Sequence, residues 1–322
     1  MTLLTVENLQ THLHLQRGIL RAVDGVSLHV DGGETLGLVG ESGSGKTMTG
    51  LSLLRLLPEG SGRIAGGSIR LDGTELTELS ETTLARDIRG SRIAMIMQDP
   101  MTSLNPVFSI GDQVGSPLRN HGIARGARLR SAVIDVLQRV RIPSPDQRLG
   151  DYPHQFSGGQ RQRVVAAMAI GCTPRLLIAD EPTTALDVTI QVQIIALLRR
   201  IQGETGAGII LITHDLGVAA SLCHRIAVMY AGQIVETAPV RRLYRAPAHP
   251  YTRALLAAIP RLGDKRARLA AIPGQPPSLI DPPIGCRFAP RCAERMDKCA
   301  QAPPLTDLGD GHTASCWKLG TA

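Results

Sequence analysis

The segment GESGSGKT at residues 40–47 is the most informative pattern in this chain. It fits the phosphate-loop pattern G-x-x-x-x-G-K-[ST] and lies between the apolar run ETLGLV and the helical pattern TMTGLSLLRLL, which is the context the motif requires. The loop glycines let backbone N–H groups surround phosphates, and the helix N-terminus adds partial positive charge. The segment therefore predicts a nucleotide-phosphate site formed by Gly40, Glu41, Ser42, Gly43, Ser44, Gly45, Lys46 and Thr47. Lys46 is expected at the β- and γ-phosphates, and Thr47 is expected to ligate Mg²⁺.

A second element supplies carboxylates of the kind that phosphate chemistry needs. The run LLIADE at residues 176–181 is an apolar strand that ends in Asp180 and Glu181. Asp180 can hold Mg²⁺ through water, and Glu181 would then act as the general base for a water that attacks the γ-phosphate. A strand that merely ends in two solvated acids is common. The phosphate loop in the same chain favours the functional interpretation.

Composition limits the remaining possibilities. The chain has 322 residues, of which 43% are hydrophobic, and it contains no apolar run long enough to span a membrane. No signal-peptide pattern opens the sequence, so we expect a cytosolic protein, in which four clustered cysteines favour a metal over disulfides. The net charge of +7 arises beyond residue 240 and would suit nucleic acid, an anionic membrane or a bound anionic group. An aromatic content of only 2% argues against single-stranded nucleic acid.

The order of strand and helix patterns predicts an α/β fold. Short strands with Gly-rich turns fill the first hundred residues, and the Asp72–Gly73 turn suits a partly antiparallel sheet. A short helix capped by Ser80 and a strand over RIAMIMQ follow. Helical patterns dominate residues 107–172, and strands then alternate with helices as in parallel α/β proteins. Proline becomes dense beyond residue 239, so we predict a domain over 1–245 and an extension over 246–322, with a non-helical segment at 273–285.

A third motif identifies a family. Phe156 is followed by Ser157, Gly158, Gly159 and Gln160, and this stretch resembles the signature of ATP-binding-cassette (ABC) ATPases, which usually begins with Leu. Its chemistry is again that of a capped helix N-terminus that presents N–H groups to an anion. The order of phosphate loop, signature and acidic strand is highly specific for the family.

The resemblance implies roles for further residues and a layout for the domain. Gln98 resembles the Q-loop glutamine, Ala185-Leu186-Asp187 resembles the D-loop, and His214 resembles the switch histidine at the γ-phosphate. Mg²⁺ would be held by Thr47, Gln98 and Asp180. The implied fold is a RecA-like core with an antiparallel β subdomain and a helical subdomain over about 99–172. ATP would lie between two cassettes, with the phosphate loop of one facing the signature of the other.

One family feature is absent from the sequence. ABC ATPases usually stack adenine on an aromatic ring upstream of the phosphate loop, but the first aromatic residue here is Phe108. The region from His12 to Leu20 is the candidate replacement, with His14, Leu13 or Leu15 against the base. Aliphatic contacts would keep the burial of the base but lose ring stacking.

The rest of the chain resembles the ATPase subunits of oligopeptide/dipeptide importers, a group that also imports nickel complexes and glutathione. The resemblance rests on QDPMTSLNP at 98–106, His249-Pro250-Tyr251-Thr252 and the Pro-rich, cysteine-bearing tail. It implies a second, similar ATPase as heterodimer partner, two multispan permease subunits, an external solute-binding protein and a peripheral location at the cytoplasmic face of the membrane. It does not identify the solute. The alternative is a soluble ABC factor that acts on nucleic acid or ribosomes through its basic tail.

Four cysteines in the extension are spaced C-x5-C-x6-C-x16-C: Cys286, Cys292, Cys299 and Cys316. Structural zinc sites favour tight C-x2–4-C pairs, whereas iron–sulfur clusters need four thiolates and tolerate varied loops. The importer resemblance also implies a 4Fe–4S cluster. Zinc and free thiols remain the alternatives. Cys172 and Cys223 lie in apolar helical surroundings and are interpreted as small buried residues.

Overall fold

The computed structural model describes residues 1–184, 187–259 and 271–320. Its strands in chain order are β1 Thr2–Leu15, β2 Gly18–Asp31, β3 Thr35–Val39, β4 Gly62–Leu71, β5 Thr74–Glu75, β6 Ile93–Ile96, β7 Leu176–Asp180, β8 Gly208–Thr213, β9 Arg225–Tyr230, β10 Gln233–Pro239, β11 Thr306–Asp307 and β12 Thr313–Ala314. Its α-helices are α1 Lys46–Leu53, α2 Glu81–Thr83, α3 Pro100–Ser103, α4 Ile110–Asn120, α5 Ala127–Arg139, α6 Gly158–Ile170, α7 Val188–Thr205, α8 Leu216–Leu222, α9 Val240–Arg245 and α10 Pro250–Ala257.

The chain divides into two compact units, each built from separated stretches of sequence. Unit 1 comprises residues 1–4, 30–34 and 78–211, and unit 2 comprises residues 5–29, 35–77 and 212–322. The predicted helix after Ser80 is only three residues long, and a π-helical turn over Leu84–Ile88 continues it. The predicted division near residue 245 coincides with the end of α9 and stays a prediction.

Unit 1 places two parallel strands beside a group of helices. Strands β6 and β7 pair in parallel, with Ile93 opposite Leu176 and Ile96 opposite Ala179. Helices α4, α5 and α6 contact one another, and α5 buries Val133, Val136 and Leu137. Because parallel strands end at the same edge of a sheet, the residues that follow β6 and β7 lie close together. This edge carries Gln98 and Glu181.

Unit 2 contains the segment that leads into the phosphate loop. All five residues of β3 are buried, and β3 pairs in parallel with β9, which continues through a tight turn into the antiparallel strand β10. Such a fully apolar strand is typical of the interior of a parallel sheet. Strands β2, β1, β4 and β5 lie side by side in a second sheet. This is the partly antiparallel sheet predicted from the first hundred residues.

The C-terminal extension packs within unit 2. Strand β12 pairs antiparallel with β10, and β11 pairs with β12. Tyr230 on β9, Tyr251 on α10 and Phe288 form an aromatic group with ring centroids 4.5–5.3 Å apart. The segment 273–285 contains no helix, as predicted. Within the described ranges, no helix is long and apolar enough to cross a membrane.

Candidate active site and cysteine pocket

The phosphate loop connects β3 to α1. Gly45 adopts a left-handed conformation with φ of 104°, and a Cβ atom there would lie 2.2 Å from the carbonyl oxygen of Ala22. Only glycine therefore fits at this position. Lys46 is buried, and its Nζ donates to the carbonyl oxygens of Gly40 and Glu41, both at 2.8 Å. The loop thus encloses its own lysine, and Thr47 is exposed in the first turn of α1.

The acidic strand end holds a hydrogen-bonded carboxylate. Asp180 is the last residue of β7 and is buried. Glu181 follows it with a left-handed φ of 45°, which turns the chain sharply at this point. Gln98 Nε2 donates to Glu181 Oε2 at 2.9 Å, and the Thr184 hydroxyl donates to the same oxygen at 2.9 Å. The structure brings together two predicted site residues 83 positions apart in sequence.

The signature begins helix α6 in unit 1. Ser157 is its N-cap: the Ser157 hydroxyl accepts from the Gln160 N–H at 3.3 Å, and the Gln160 side chain accepts from the Ser157 N–H at 3.0 Å. This reciprocal capping box satisfies two N–H groups that would otherwise have no partner. Gly158 is exposed, whereas a Cβ at Gly159 would lie 2.9 Å from the Ile190 side chain.

Two further predicted residues occupy turns at the ends of elements. Asp187 caps α7 by accepting from the Ile190 N–H at 2.9 Å. Ala185 and Leu186 of the predicted D-loop lie outside the described residues. His214 is exposed directly after β8, and its action at the γ-phosphate stays a prediction.

All four cysteines of the extension line one small pocket, together with His249, Phe288 and Met296. Burial raises the pKa of Cys286, and the nearby Cys299 and Cys316 add to the increase. Burial likewise raises the pKa of Cys292, again with contributions from Cys316 and Cys299. As placed, no three His, Cys, Asp or Glu side chains of the described residues are arranged to hold one metal ion. The structure therefore gathers the four thiols without arranging three of them as ligands.

Comparison with protein families agrees with this geometry. The model of the ABC transporter family matches residues 23–184, and that of the oligopeptide/dipeptide transporter C-terminal region matches residues 235–299. The chain belongs to the ABC transporter family. It carries in addition the C-terminal region of the oligopeptide/dipeptide transporters, and it is an ATPase of this family.

Individual relatives of this ABC protein cover nearly all of it. It is 49% identical to a probable peptide ABC transporter ATP-binding protein of Sinorhizobium fredii, over 98% of this chain and 95% of the relative. It is 48% identical to the dipeptide transport ATP-binding protein DppD of Bacillus subtilis, over 98% of this chain and 94% of the relative. A dimeric ATP-binding cassette solved with ADP and phosphate is similar in structure, with a TM-score of 0.64 and 28% identity over 74% of this chain and 99% of that one.

The candidate adenine region of the ABC protein is the end of the β1–β2 hairpin. Leu15 and Ile19 are exposed there, and Leu13 is partly buried. The His14 N–H donates to the carbonyl oxygen of Ser61 at 2.8 Å, which ties the hairpin to the residues before β4. The region offers aliphatic surface, and its contact with adenine stays a prediction.

Sequence reasoning missed two residues that contact the phosphate loop. The Glu41 N–H donates to the Tyr251 hydroxyl at 2.9 Å, and Arg291 forms a bidentate ion pair with the Glu41 carboxylate. Both partners lie more than 200 positions from the loop, so no spacing in the sequence indicates them. Thr184, the second donor to Glu181, was also missed. Its position three residues after Glu181 is a local signal that could have identified it.

Proposed function

We propose that this chain hydrolyses ATP to energise the import of peptides or related small solutes through separate membrane subunits. The observation that carries the proposal is the hydrogen-bonded pair of Gln98 and Glu181, in a chain that also has an intact phosphate loop. The names of its relatives, which describe peptide and dipeptide transport, favour peptides as the solute class. Matches over 98% of the chain to peptide-transport proteins do not favour the soluble nucleic-acid factor.

The phosphate loop supplies binding. Its N–H groups and the N-terminus of α1 suit the ATP phosphates, and Lys46 adds a positive charge. The side chains proposed for Mg²⁺ are Thr47, Gln98 and Asp180, whose hydroxyl, amide and carboxylate oxygens are the donors that this ion prefers. When bound, Mg²⁺ neutralises phosphate charge. His214 is proposed to contact the γ-phosphate.

Hydrolysis requires a base that removes a proton from water. Glu181 is proposed for that role, because a carboxylate in hydrogen-bond reach of water can accept the proton. Gln98 and Thr184 both donate to Oε2 of Glu181, which restricts rotation of the carboxylate. Gln98 is therefore proposed to orient the base as well as to sense the nucleotide.

A second cassette is proposed to complete the site. The N-terminus of α6, with Ser157, Gly158, Gly159 and Gln160, would face ATP held by the partner's phosphate loop, and Asp187 would lie at the dimer interface. A similar cassette has been solved as a dimer, which supports a site that involves two cassettes. We propose a heterodimer with a similar ATPase, as the importer resemblance implies.

The membrane partners are proposed to be two permease subunits, supplied with solute by an external binding protein. The chain would then lie peripherally at the cytoplasmic face of the membrane. Residues 99–150 are proposed to dock onto cytoplasmic loops of the permeases. Gln98 directly precedes this segment and contacts the proposed base, so it can relay nucleotide occupancy to the docking surface.

Reconstitution tests the proposed function. The chain, a similar ATPase, the permeases and the binding protein would be placed in proteoliposomes and supplied with a labelled dipeptide. We expect uptake that requires ATP and that Lys46→Ala abolishes. If the permeases left the rate of ATP hydrolysis unchanged and ribosomes or DNA increased it, the chain would instead be a soluble factor.

The cysteine pocket is proposed to hold a 4Fe–4S cluster, with zinc as the alternative. Its ligands would be Cys286, Cys292, Cys299 and Cys316, which line one pocket. Four sulfur donors suit either metal centre. When bound, the metal would supply a structural cross-link for a Pro-rich segment.

Metal analysis distinguishes these possibilities. Chain purified without oxygen is expected to be brown, to absorb broadly near ~400 nm as thiolate-bound iron centres do, and to contain iron. Colourless protein with one zinc per chain would establish the zinc alternative. Absence of both metals would mean that the cysteines only pack.

A further inference from the structure

One residue of the phosphate loop is held by the C-terminal extension. Arg291 Nη1 lies 2.7 Å from Glu41 Oε2, and Arg291 Nη2 lies 3.0 Å from Glu41 Oε1. The backbone N–H of Glu41 donates to the Tyr251 hydroxyl at 2.9 Å. The Glu41 carbonyl oxygen accepts from Lys46 Nζ at 2.8 Å. Glu41 is therefore fixed through its side chain and both of its backbone polar groups, and two of these three contacts come from the extension.

The contacts around the ion pair of Arg291 and Glu41 restrict it to one geometry. The Arg291 side chain is 4% exposed, and its remaining donors reach the carbonyl oxygen of Pro273 and the hydroxyl of Tyr230. The hydrogen-bonded carboxylate of Glu41 raises the pKa of Arg291, so the guanidinium stays charged. Bidentate, charge-assisted pairs are stronger and more directional than neutral hydrogen bonds. Any movement of Arg291 would therefore be passed to Glu41.

A second arginine of the extension reaches the loop indirectly. Arg287 is buried, donates to the carbonyl oxygen of Ala231 and forms an ion pair with Asp24. Ala231 belongs to the β9–β10 turn, and the next residue, Gly232, donates its N–H to the carbonyl oxygen of Ser44 at 2.8 Å. The extension thus supports the loop at Glu41 and at Ser44.

Both arginines are adjacent in sequence to cysteines of the pocket. Arg287 follows Cys286, and Arg291 precedes Cys292 at the end of a 3-10 turn over Ala289–Arg291. The Ala289 N–H donates to the carbonyl oxygen of Cys286, and the Cys292 N–H donates to that of Ala289. The backbone positions of the two cysteines and the two arginines are therefore linked.

We propose that Arg291 and Arg287 form a clamp through which the extension sets the conformation of the phosphate loop and thereby the affinity for ATP. The inference rests on the nucleotide-binding role of the loop given under the proposed function. Arg291 and Arg287 act as positioning residues, because they reach nucleotide only through Glu41 and Ser44.

Equilibrium binding of a fluorescent ATP analogue with Mg²⁺ to the full chain tests the clamp. Arg291→Gln is expected to weaken binding about tenfold, within the range by which coupling residues that touch neither ligand change affinity. Glu41→Gln should weaken it similarly. The double variant should be no weaker than either single variant, because both remove the same interaction. Arg291→Lys should be intermediate, because lysine cannot form the bidentate pair.

The matched control is Arg295→Gln, an exposed arginine of the same segment. It should bind the analogue like the wild type. If Arg295→Gln weakened binding of the analogue as much as Arg291→Gln does, the effect would come from the positive charge of the extension as a whole. That result would overturn the clamp. With partner subunits present, Arg291→Gln should raise the KM for ATP and leave kcat at saturating ATP unchanged. A fall in kcat alone would also overturn the proposal.

Two further variants keep the outcome decisive. If Arg291→Gln does not fold, Arg287→Gln removes the second arginine of the clamp and should still weaken binding severalfold. Binding at wild-type affinity in a folded Arg287→Gln or Arg291→Gln chain overturns the clamp. Lys46→Ala tests the loop independently: if that variant binds ATP normally, the proposed nucleotide site has failed rather than the clamp.

Discussion

At the scale of single residues, the orientation of Glu181 is the feature closest to the chemistry. Its backbone adopts a left-handed conformation that is uncommon for a residue with a side chain, and such conformations cluster at functional sites. Gln98 and Thr184 hold Oε2 of its carboxylate from two directions. A general base is most effective when its approach to water is set in advance.

Replacement of Glu181 by Gln should separate binding from hydrolysis. The amide keeps the shape of the side chain but cannot accept a proton, so we expect turnover to fall by about 100- to 10,000-fold. ATP binding should persist, because the phosphate loop is unchanged. Phosphate release with the partner subunits present measures the first effect, and nucleotide binding measures the second. Glu204→Gln, a change in an exposed ion pair of α7, is the control, and wild-type hydrolysis by Glu181→Gln would refute the assigned role.

At the scale of elements, the loop between α3 and α4 is held in place by hydrogen bonds and exposes apolar side chains. Gln113 on α4 is buried, accepts from the Asn105 N–H at 2.8 Å and donates to the carbonyl oxygens of Asn105 and Phe108, both at 2.9 Å. This side chain fixes the loop backbone. Val107 and Phe108 are nevertheless 72% and 52% exposed. Apolar side chains presented on an ordered loop are suited to a protein partner.

Substitution of this loop should affect assembly and leave nucleotide binding intact. Val107→Asp and Phe108→Asp place charges on the proposed permease-docking surface, where desolvation of an unpaired charge disfavours binding. We expect loss of co-purification with the permeases and of stimulated ATPase activity. Ile284→Asp, at an exposed apolar residue outside the proposed docking segment, is the control. Cross-links from residues 103–111 to permease loops would support the model, whereas cross-links confined to the C-terminal tail would refute it.

At the scale of the whole molecule, a buried carboxylate attaches the extension to β10. Glu236 is fully buried and accepts from the Ala248 N–H at 2.7 Å and the His249 N–H at 2.8 Å. Its Oε1 also lies 2.8 Å from Nε2 of His312, which directly precedes β12. The Glu236 side chain therefore binds both the residues that precede α10 and the residue that precedes β12.

Removal of that carboxylate should loosen the extension. Glu236→Ala leaves buried N–H groups and His312 without their acceptor, and such losses cost about 3 kcal/mol of unfolding free energy. We expect a lower melting temperature and faster proteolysis beyond residue 245. Glu7→Ala, which breaks only the exposed pair with Arg70, should change stability by less than about 1 kcal/mol. Equal effects of the two variants would contradict the anchoring role.

The sequence alone determined those parts of this protein whose interactions are local. The phosphate loop, the capping box at Ser157 and the caps at Ser80 and Asp187 join atoms only a few positions apart, so residue type and spacing specify them. Apolar runs likewise predicted β3, β7 and β8, because a strand buried on both faces must be apolar throughout. The strands β11 and β12 are only two residues long and contain no apolar run, so they were not predicted.

Only the tertiary structure decided which distant residues meet. Gln98 and Glu181 are 83 positions apart and Arg291 and Glu41 are 250 positions apart, and packing within a unit, not any repeat, brings each pair together. The same holds for the pocket shared by Cys286 and Cys316, whose spacing alone left several metal sites open. The physical reason is that periodicity reports the environment of a residue along its own strand or helix. It does not report which chain segment packs against that face, because many segments are compatible with the same apolar surface.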